Sequence, residues 1–173
     1  MKDKGSIIVK EKNSVLYIAR AGIIAAVYIV LTLIAAGFDL ASGAIQVRFS
    51  EALCVLPYFT PAAVPGLIVG CLLANIITGC ALPDIIFGTL ATAIGAVGSR
   101  LLRKNKFLVP LPPVLSNAVI IPFVLRYAYQ IPGSIPFFML TVGAGEVIAC
   151  YVLGLLLMQA LRPVRGTLFD STR

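Results

Sequence analysis

The sequence predicts an all-α membrane protein with six transmembrane helices in one compact bundle. Hydrophobic residues make up 60% of the 173 residues, charged residues make up 12%, and the mean hydropathy is +1.01. A soluble domain is about half apolar and about a quarter charged, so most of this surface must face lipid. The second observation is the grouping of the basic residues, which sets the number of crossings.

Five apolar blocks follow the N-terminus. The first runs for 22 residues with Arg20 as its one charge, which as a helix is about 33 Å long and enough to cross a bilayer. The second is interrupted by Pro57, Pro61 and Pro65, which predict a short span at about 51–60 and a full span at about 62–79. The blocks cover residues 15–36, 51–78, 84–102, 107–129 and 136–161.

Twelve of the 14 basic residues lie in three clusters, one at each terminus and one at residues 100–106. Five crossings would put the two termini on opposite sides of the membrane, whereas six put all three clusters in the cytoplasm, as the positive-inside rule requires. We therefore predict a single domain, with a bundle at 15–161 between basic cytoplasmic tails at 1–14 and 162–173. The net charge of +7 then reflects topology and not a nucleic-acid partner.

Several kinds of chemistry are excluded by composition. The chain has no His, so His-based catalytic triads and His-ligated zinc are excluded, and it has neither a P-loop nor a G-x-G-x-x-G motif. The four Cys form no C-x-x-C pair and are interpreted as small apolar residues. The sequence therefore predicts no catalytic residue, no metal and no cofactor.

The charged residues outside the basic clusters and tails all fall in the outer half of the six-span arrangement, which predicts a solute cavity open to the outside. Glu146 is the strongest candidate, because it lies about ten residues, roughly 15 Å, into the last helix, where a charge costs about 2.5–3.5 kcal/mol. It either contacts the solute or forms a structural ion pair with Arg126. Asp84 and Glu51 either bind solute or cap their helices, and Glu51 could also pair with Arg48. The predicted solute-binding residues are Glu146, Asn117, Asp84, Glu51, Asn75, Arg126, Arg48 and Gln46.

Small residues at four-residue spacing predict close helix packing. The first helix carries two such pairs, Ala21 with Ala25 and Gly22 with Ala26, and the third span carries Gly66 and Gly70. No internal repeat is evident, which counts against an inverted-repeat transporter.

Four segments, in order, resemble the QueT family of queuosine-precursor transporters: residues 42–79, 83–92, 110–122 and 143–155, which include SEALCVLPYFTP, PDIIFGTLAT, PLPPVLSNAVIIP and GAGEVIACYVLGL. The resemblance implies an S component, the substrate-binding subunit of an energy-coupling factor (ECF) transporter in the bacterial plasma membrane. It implies a 7-deazaguanine solute such as preQ0, preQ1 or queuine, bound at the outer side. It also implies a transmembrane T component, contacted by the small residues Ala21, Ala25, Gly22 and Ala26, and two cytoplasmic ATPases.

Two other readings stay open on the residues alone. One is a stand-alone secondary transporter or channel for a small polar solute. The other is an intramembrane enzyme that uses Asp84 and Glu146 as paired carboxylates.

Overall fold

The computed structural model describes residues 4–38 and 48–169, and every regular element in these ranges is helical. The chain begins with α1 (Lys4–Gly37), followed by a 3-10 helix (Phe49–Tyr58), α2 (Ala63–Ile77) and α3 (Leu82–Leu101). It continues with α4 (Leu111–Phe123), α5 (Ile135–Glu146), α6 (Gly154–Leu161) and the short α7 (Arg165–Leu168). Wider π-helical turns extend α4 through Val124–Ala128 and join α5 to α6 through Val147–Leu153.

Four segments are long and apolar enough to cross a membrane: Ser14–Gly37, Leu82–Leu101, Leu111–Ala128 and Ile135–Leu161. They correspond to the first and the last three predicted spans, with ends that differ by a few residues. The remaining block is divided as its prolines predict, into the 3-10 helix and the apolar α2. These two are about 20 Å and 22 Å long at their respective rises, less than the roughly 30 Å of a hydrocarbon core.

The 3-10 helix lies at the centre of the bundle. Its residues from Ser50 to Pro57 are all buried, and it packs against α1, α2, α3, α6 and the π turns of the last helix. Irregular backbone at membrane depth is tolerated where protein surrounds it, which explains how so short a segment is accommodated. Because it is central, a polar side chain near its start is placed inside the bundle and not against lipid.

Close packing of α1 on α2 uses the predicted small residues. A Cβ on Gly70 would lie 2.8 Å from the Cβ of Tyr28 and 3.1 Å from the Cα of Ala25, so only glycine permits this approach. A Cβ on Gly66 would lie 2.8 Å from the carbonyl oxygen of Ala21. The pairing fixes Tyr28, which is fully buried, toward the 3-10 helix.

The ends of three segments meet at one end of the bundle. The Arg20 guanidinium donates to the Phe169 carbonyl oxygen at 3.0 Å, and the Phe169 ring stacks on Phe59 at 5.1 Å. Arg100, at the end of α3, donates to the Pro57 carbonyl oxygen at 2.8 Å. We refer to this end, defined by Arg20, Arg100 and Phe169, as the basic end.

Both predicted tails contain helical residues within the part of the chain that the structure describes. The helix predicted to begin at Val15 extends back to Lys4, because residues 4–14 contain no proline and only one glycine and continue the helix without a break. After α6, the chain forms α7 and returns to the bundle through Phe169.

Candidate functional site

A small polar cavity lies inside the bundle, lined by side chains from four segments of the chain. The 3-10 helix and the residue before it contribute Glu51 and Arg48, while α3, α4 and α5 contribute the rest. Its free volume is about 10 Å³, roughly the space for one water molecule. The lining residues are Arg48, Glu51, Gly88, Thr92, Asn117, Ile121, Val142 and Glu146.

Glu51 is held by α1. The Tyr28 hydroxyl donates to Glu51 Oε1 at 2.5 Å. The whole Glu51 residue is only 4% exposed. One turn further along α1, the Thr32 hydroxyl lies 2.9 Å from that of Ser50. The start of the 3-10 helix is therefore positioned by hydroxyl groups of the first helix, and Glu51 is oriented before any solute arrives.

Glu146 lies at the end of α5, where the helix widens into π turns. Its carboxyl group lines the cavity together with the Asn117 side chain of α4, and the Cys150 thiol donates to Glu146 Oε2 at 3.3 Å. The same thiol lies 3.5 Å from the carbonyl oxygen of Glu51. π turns recur at functional sites, where they shift the helical register of a side chain.

Glu51 and Glu146 are neighbours. Ligand atoms of Glu51, Glu146 and Cys150 all lie within 4.8 Å of one another and all three residues are buried. Two carboxyl groups this close repel each other when both are ionised. The arrangement can share a proton or hold a cation between them.

Arg48 pairs with a different acid. Its guanidinium Nη2 lies 3.8 Å from Asp84 Oδ2, which also accepts a 2.9 Å hydrogen bond from the Tyr129 hydroxyl. Burial raises the pKa of Tyr129 above its ordinary value, so this hydroxyl keeps its proton and remains a donor. The Tyr129 oxygen in turn accepts from the backbone N–H of Ala81, at the start of α3.

The second oxygen of Asp84 has no hydrogen-bond partner among the described residues. Asp84 is 4% exposed, and its Oδ1 lies 3.1 Å from where a Cβ on Gly88 would be. The Asn75 amide nitrogen lies 3.2 Å from the same point and donates to a weak acceptor, the Cys71 sulfur, at 3.6 Å. Gly88 lines the cavity, so an acceptor and a donor with unused capacity lie beside it.

The structure brings most of the predicted solute-binding residues together. Arg48, Glu51, Asn117 and Glu146 line the cavity. Asp84 joins the group through Arg48, and Asn75 lies beside Gly88, as described above.

Two predicted residues are not part of this group. Arg126 is exposed, and its guanidinium lies 3.5 Å from the Ile131 carbonyl oxygen, outside the cavity lining. This also removes the proposed Arg126 partner of Glu146. Gln46 lies outside the described residues, as does the outer-loop residue Asp39.

Sequence reasoning missed four contributors to the site: Tyr28, Gly88, Thr92 and Cys150. The cysteines are not merely small apolar residues, because Cys150 contacts both glutamates and Cys71 accepts from Thr92 at 3.2 Å. The sequence did not indicate that Glu51 and Glu146 are neighbours, yet their carboxyl oxygens lie within 4.8 Å of each other. A tyrosine or threonine in an apolar helix does not by itself indicate a binding site, because its hydroxyl group can find a hydrogen-bond partner at many depths.

The predicted T-component residues occupy two different faces of α1. Ala25 is 6% exposed and packs against Gly70 of α2, inside the chain. Gly22 and Ala26 are exposed, and nothing lies within 4 Å of a Cβ placed on Gly22. Of the two small-residue pairs, only the one formed by Gly22 and Ala26 is available to another protein.

An apolar bundle that encloses buried acids, amides and a guanidinium has the character of a transport protein, because intramembrane charges are retained for solute or ion binding. The fold and the site thus define a multi-pass membrane protein with a transport role. The family model described as QueT transporter matches residues 18–163. The chain therefore belongs to the QueT transporter family, which confirms the resemblance. No curated protein and no solved structure matches the chain.

Proposed function

We propose that this chain is the solute-binding S component of an ECF transporter that imports a queuosine precursor. The observation that carries the proposal is the cavity between Glu51 and Glu146, in a chain of the QueT transporter family. The solute is a 7-deazaguanine, such as preQ0, preQ1 or queuine. The chain itself binds the solute, and ATP hydrolysis belongs to partner subunits.

The polar groups suit the base of such a solute. A deazaguanine presents a ring N–H and an exocyclic NH2 side by side, which one carboxylate accepts in a bidentate manner. We assign this role to Glu146, and Asn117, which lines the same cavity, can donate to or accept from the adjoining edge. Asn75 offers a further amide beside Gly88.

We propose six crossings with both termini in the cytoplasm and the cavity toward the outside. Arg20, Arg100 and Phe169 meet at the basic end, which supports a common side for the three basic clusters. The 3-10 helix begins directly after Arg48, which lines the cavity, and its Pro57 carbonyl oxygen accepts from Arg100 at the basic end. This supports its being a short crossing. The cavity then lies away from the cytoplasmic side, as uptake requires.

The exposed face of α1 is the proposed binding surface for the T component. A T component that packs closely needs small side chains, and Gly22 and Ala26 supply them without loss of internal packing. We propose that the T component binds here and connects the chain to two cytoplasmic ATPases.

The cavity must widen for the solute to enter. About 10 Å³ holds roughly one water molecule, far less than a bicyclic base requires. The start of the 3-10 helix, with Arg48 and Glu51, and the end of α5, with Glu146, both line the cavity. Binding therefore involves displacement of one of these segments, and the chain is expected to gain thermal stability when solute is bound.

The test is direct binding to the purified full chain in lipid nanodiscs, with preQ0, preQ1, queuine and, as a control, adenine. Saturable binding of at least one deazaguanine, with none of adenine, is expected. Mass spectrometry of the solute that co-purifies identifies the physiological ligand. Failure of all deazaguanines to bind would overturn the proposal. Uptake by proteoliposomes that contain this chain alone, without ATP, would instead establish a stand-alone carrier.

A further inference from the structure

The charges around the cavity do not balance. Three carboxyl groups, those of Glu51, Asp84 and Glu146, surround or adjoin it, against one guanidinium, that of Arg48. When all four are ionised, the group carries a surplus of two negative charges. All three acids are at least nine-tenths buried, with exposures of 4%, 4% and 8%.

A buried surplus of this kind is costly. Removing a carboxylate from water costs several kcal/mol, and this cost is offset by a nearby cation, by several hydrogen bonds or by a proton taken up by the carboxyl group. A bound cation offsets it without neutralising the carboxylates. Arg48 is engaged with Asp84 at 3.8 Å, so the closely spaced pair of Glu51 and Glu146 is the part of the group with the least compensation. The hydrogen bonds from Tyr28 and Cys150 come from neutral groups and do not cancel charge.

An independent observation points to a ligand. Asp84 Oδ1 is buried, has no partner among the described residues and lies beside Gly88 of the cavity lining. Leaving a buried acceptor without a hydrogen bond costs about 1–3 kcal/mol, and more when the acceptor is charged. A donor brought by the solute removes this cost.

We infer that the solute bound in this cavity is a cation at neutral pH, namely a deazaguanine whose side arm carries a protonated amine. This rests on the proposed function, and it narrows the solute class. An ammonium offers three donors and no acceptor, which matches a cavity rich in carboxylate oxygens. A nitrile arm carries no charge and offers only an acceptor, so it leaves the surplus uncompensated.

The experiment compares solutes that share one ring system and differ in the side arm. The probes are 7-aminomethyl-7-deazaguanine, which is cationic, its near-isosteric neutral 7-hydroxymethyl analogue, and the 7-cyano compound. Affinities are measured by calorimetry on the full chain in nanodiscs at physiological ionic strength. The aminomethyl compound is expected to bind at least tenfold more tightly than either neutral compound.

Variants assign the preference to the cavity. Glu51→Gln removes one of the surplus charges and is expected to reduce the ratio of aminomethyl to hydroxymethyl affinity to less than threefold. Glu11→Gln removes the same charge from α1, about 25 Å along the helix from Tyr28, and is expected to leave the ratio unchanged. Asp84→Asn serves as the second cavity variant if Glu51→Gln does not fold.

The outcomes are distinct. Equal affinities for the charged and neutral compounds, or tighter binding of a neutral one, would overturn the inference and leave the proposed function standing. A ratio unchanged in both Glu51→Gln and Asp84→Asn would also overturn it, since the preference would then arise elsewhere. Binding of none of the three compounds would overturn the proposed function together with this inference.

Discussion

At the scale of single residues, Glu146 is central to the site, because it shares the cavity lining with Asn117 of α4, lies next to Glu51 of the 3-10 helix and accepts a hydrogen bond from Cys150. If it anchors the solute, Glu146→Gln should weaken binding by about 1.5–3 kcal/mol, roughly 10- to 150-fold, with little loss of thermal stability. Calorimetry and a melting curve of the same sample measure the two effects.

Arg126→Gln is the matched variant. Because Arg126 is exposed and lies outside the cavity lining, its loss should change neither solute affinity nor the melting temperature. An equal loss of stability in both variants would restore the structural ion pair as the explanation. Binding by Glu146→Gln within twofold of the unmodified chain would reject the anchor role.

Substitution of Gly88 is expected to change solute affinity more than thermal stability. Its substitution by Ala would place a methyl group 3.1 Å from Asp84 Oδ1 and 3.2 Å from the Asn75 nitrogen, in the lining of the cavity. If the solute fills the space beside Gly88, the methyl group overpacks the bound state by about 1–3 kcal/mol, and affinity should fall roughly 5- to 150-fold. Alanine is also the better helix former, by about 1 kcal/mol, so the melting temperature should fall little.

Gly22→Ala is the control for this substitution. It makes the same change of residue in another helix, with nothing within 4 Å of the added methyl group, and should leave affinity unchanged. Unaltered affinity in Gly88→Ala would place the solute away from this part of α3.

Residue types and depth were enough to find most of the site. Glu146, Asn117 and Asp84 are polar residues in apolar helices, where each must have a partner, and that requirement is visible in sequence. The identity of the partner is not visible, because it depends on how helices are rotated. Arg126, one helix earlier, was the predicted ion-pair partner of Glu146, yet the π turns and the 3-10 helix bring Glu51 and Cys150 to it instead.

At the scale of elements, proline positions predicted the division of the second apolar block, because each proline removes a backbone donor from the helix. They did not predict a 3-10 helix, nor its central place in the bundle. That place follows from contacts with five other segments, which no local pattern encodes. The π turns of the last helix likewise leave no periodicity in a segment that is apolar on all sides.

The two small-residue faces of α1 give an element-scale prediction. Ala25→Leu should destabilise the chain by about 1–3 kcal/mol or more, because the larger side chain meets Gly70 of α2 at close approach. Ala26→Leu lies on the exposed face and should leave the melting temperature and solute affinity unchanged while preventing assembly with the T component. Melting curves, solute binding and co-purification with the T component distinguish the two variants.

The contrary results are specific. Normal co-purification of a well-folded Ala26→Leu chain would move the T-component contact away from this face. A fully stable Ala25→Leu chain would contradict the tight packing of α1 on α2.

At the scale of the whole molecule, the membrane topology decides whether the cavity faces the solute outside. Six crossings place Lys104 in the cytoplasm, and Ser134, at the start of α5, outside. Single cysteines at these positions, labelled in intact cells with a membrane-impermeant maleimide, report the side directly. Cys80 between α2 and α3 should itself label from outside in the unmodified chain, and the other three native cysteines are buried. The variants are therefore made on a Cys80→Ser background, and detergent-opened cells provide the control for reactivity.

Labelling of Ser134→Cys but not Lys104→Cys is expected in intact cells, with both labelled after opening. Outside access at Lys104→Cys, or protection of both Ser134→Cys and Cys80, would require an odd number of crossings or a reversed orientation. The carboxylates would then face the cytoplasm, and the chain could not receive its solute from outside.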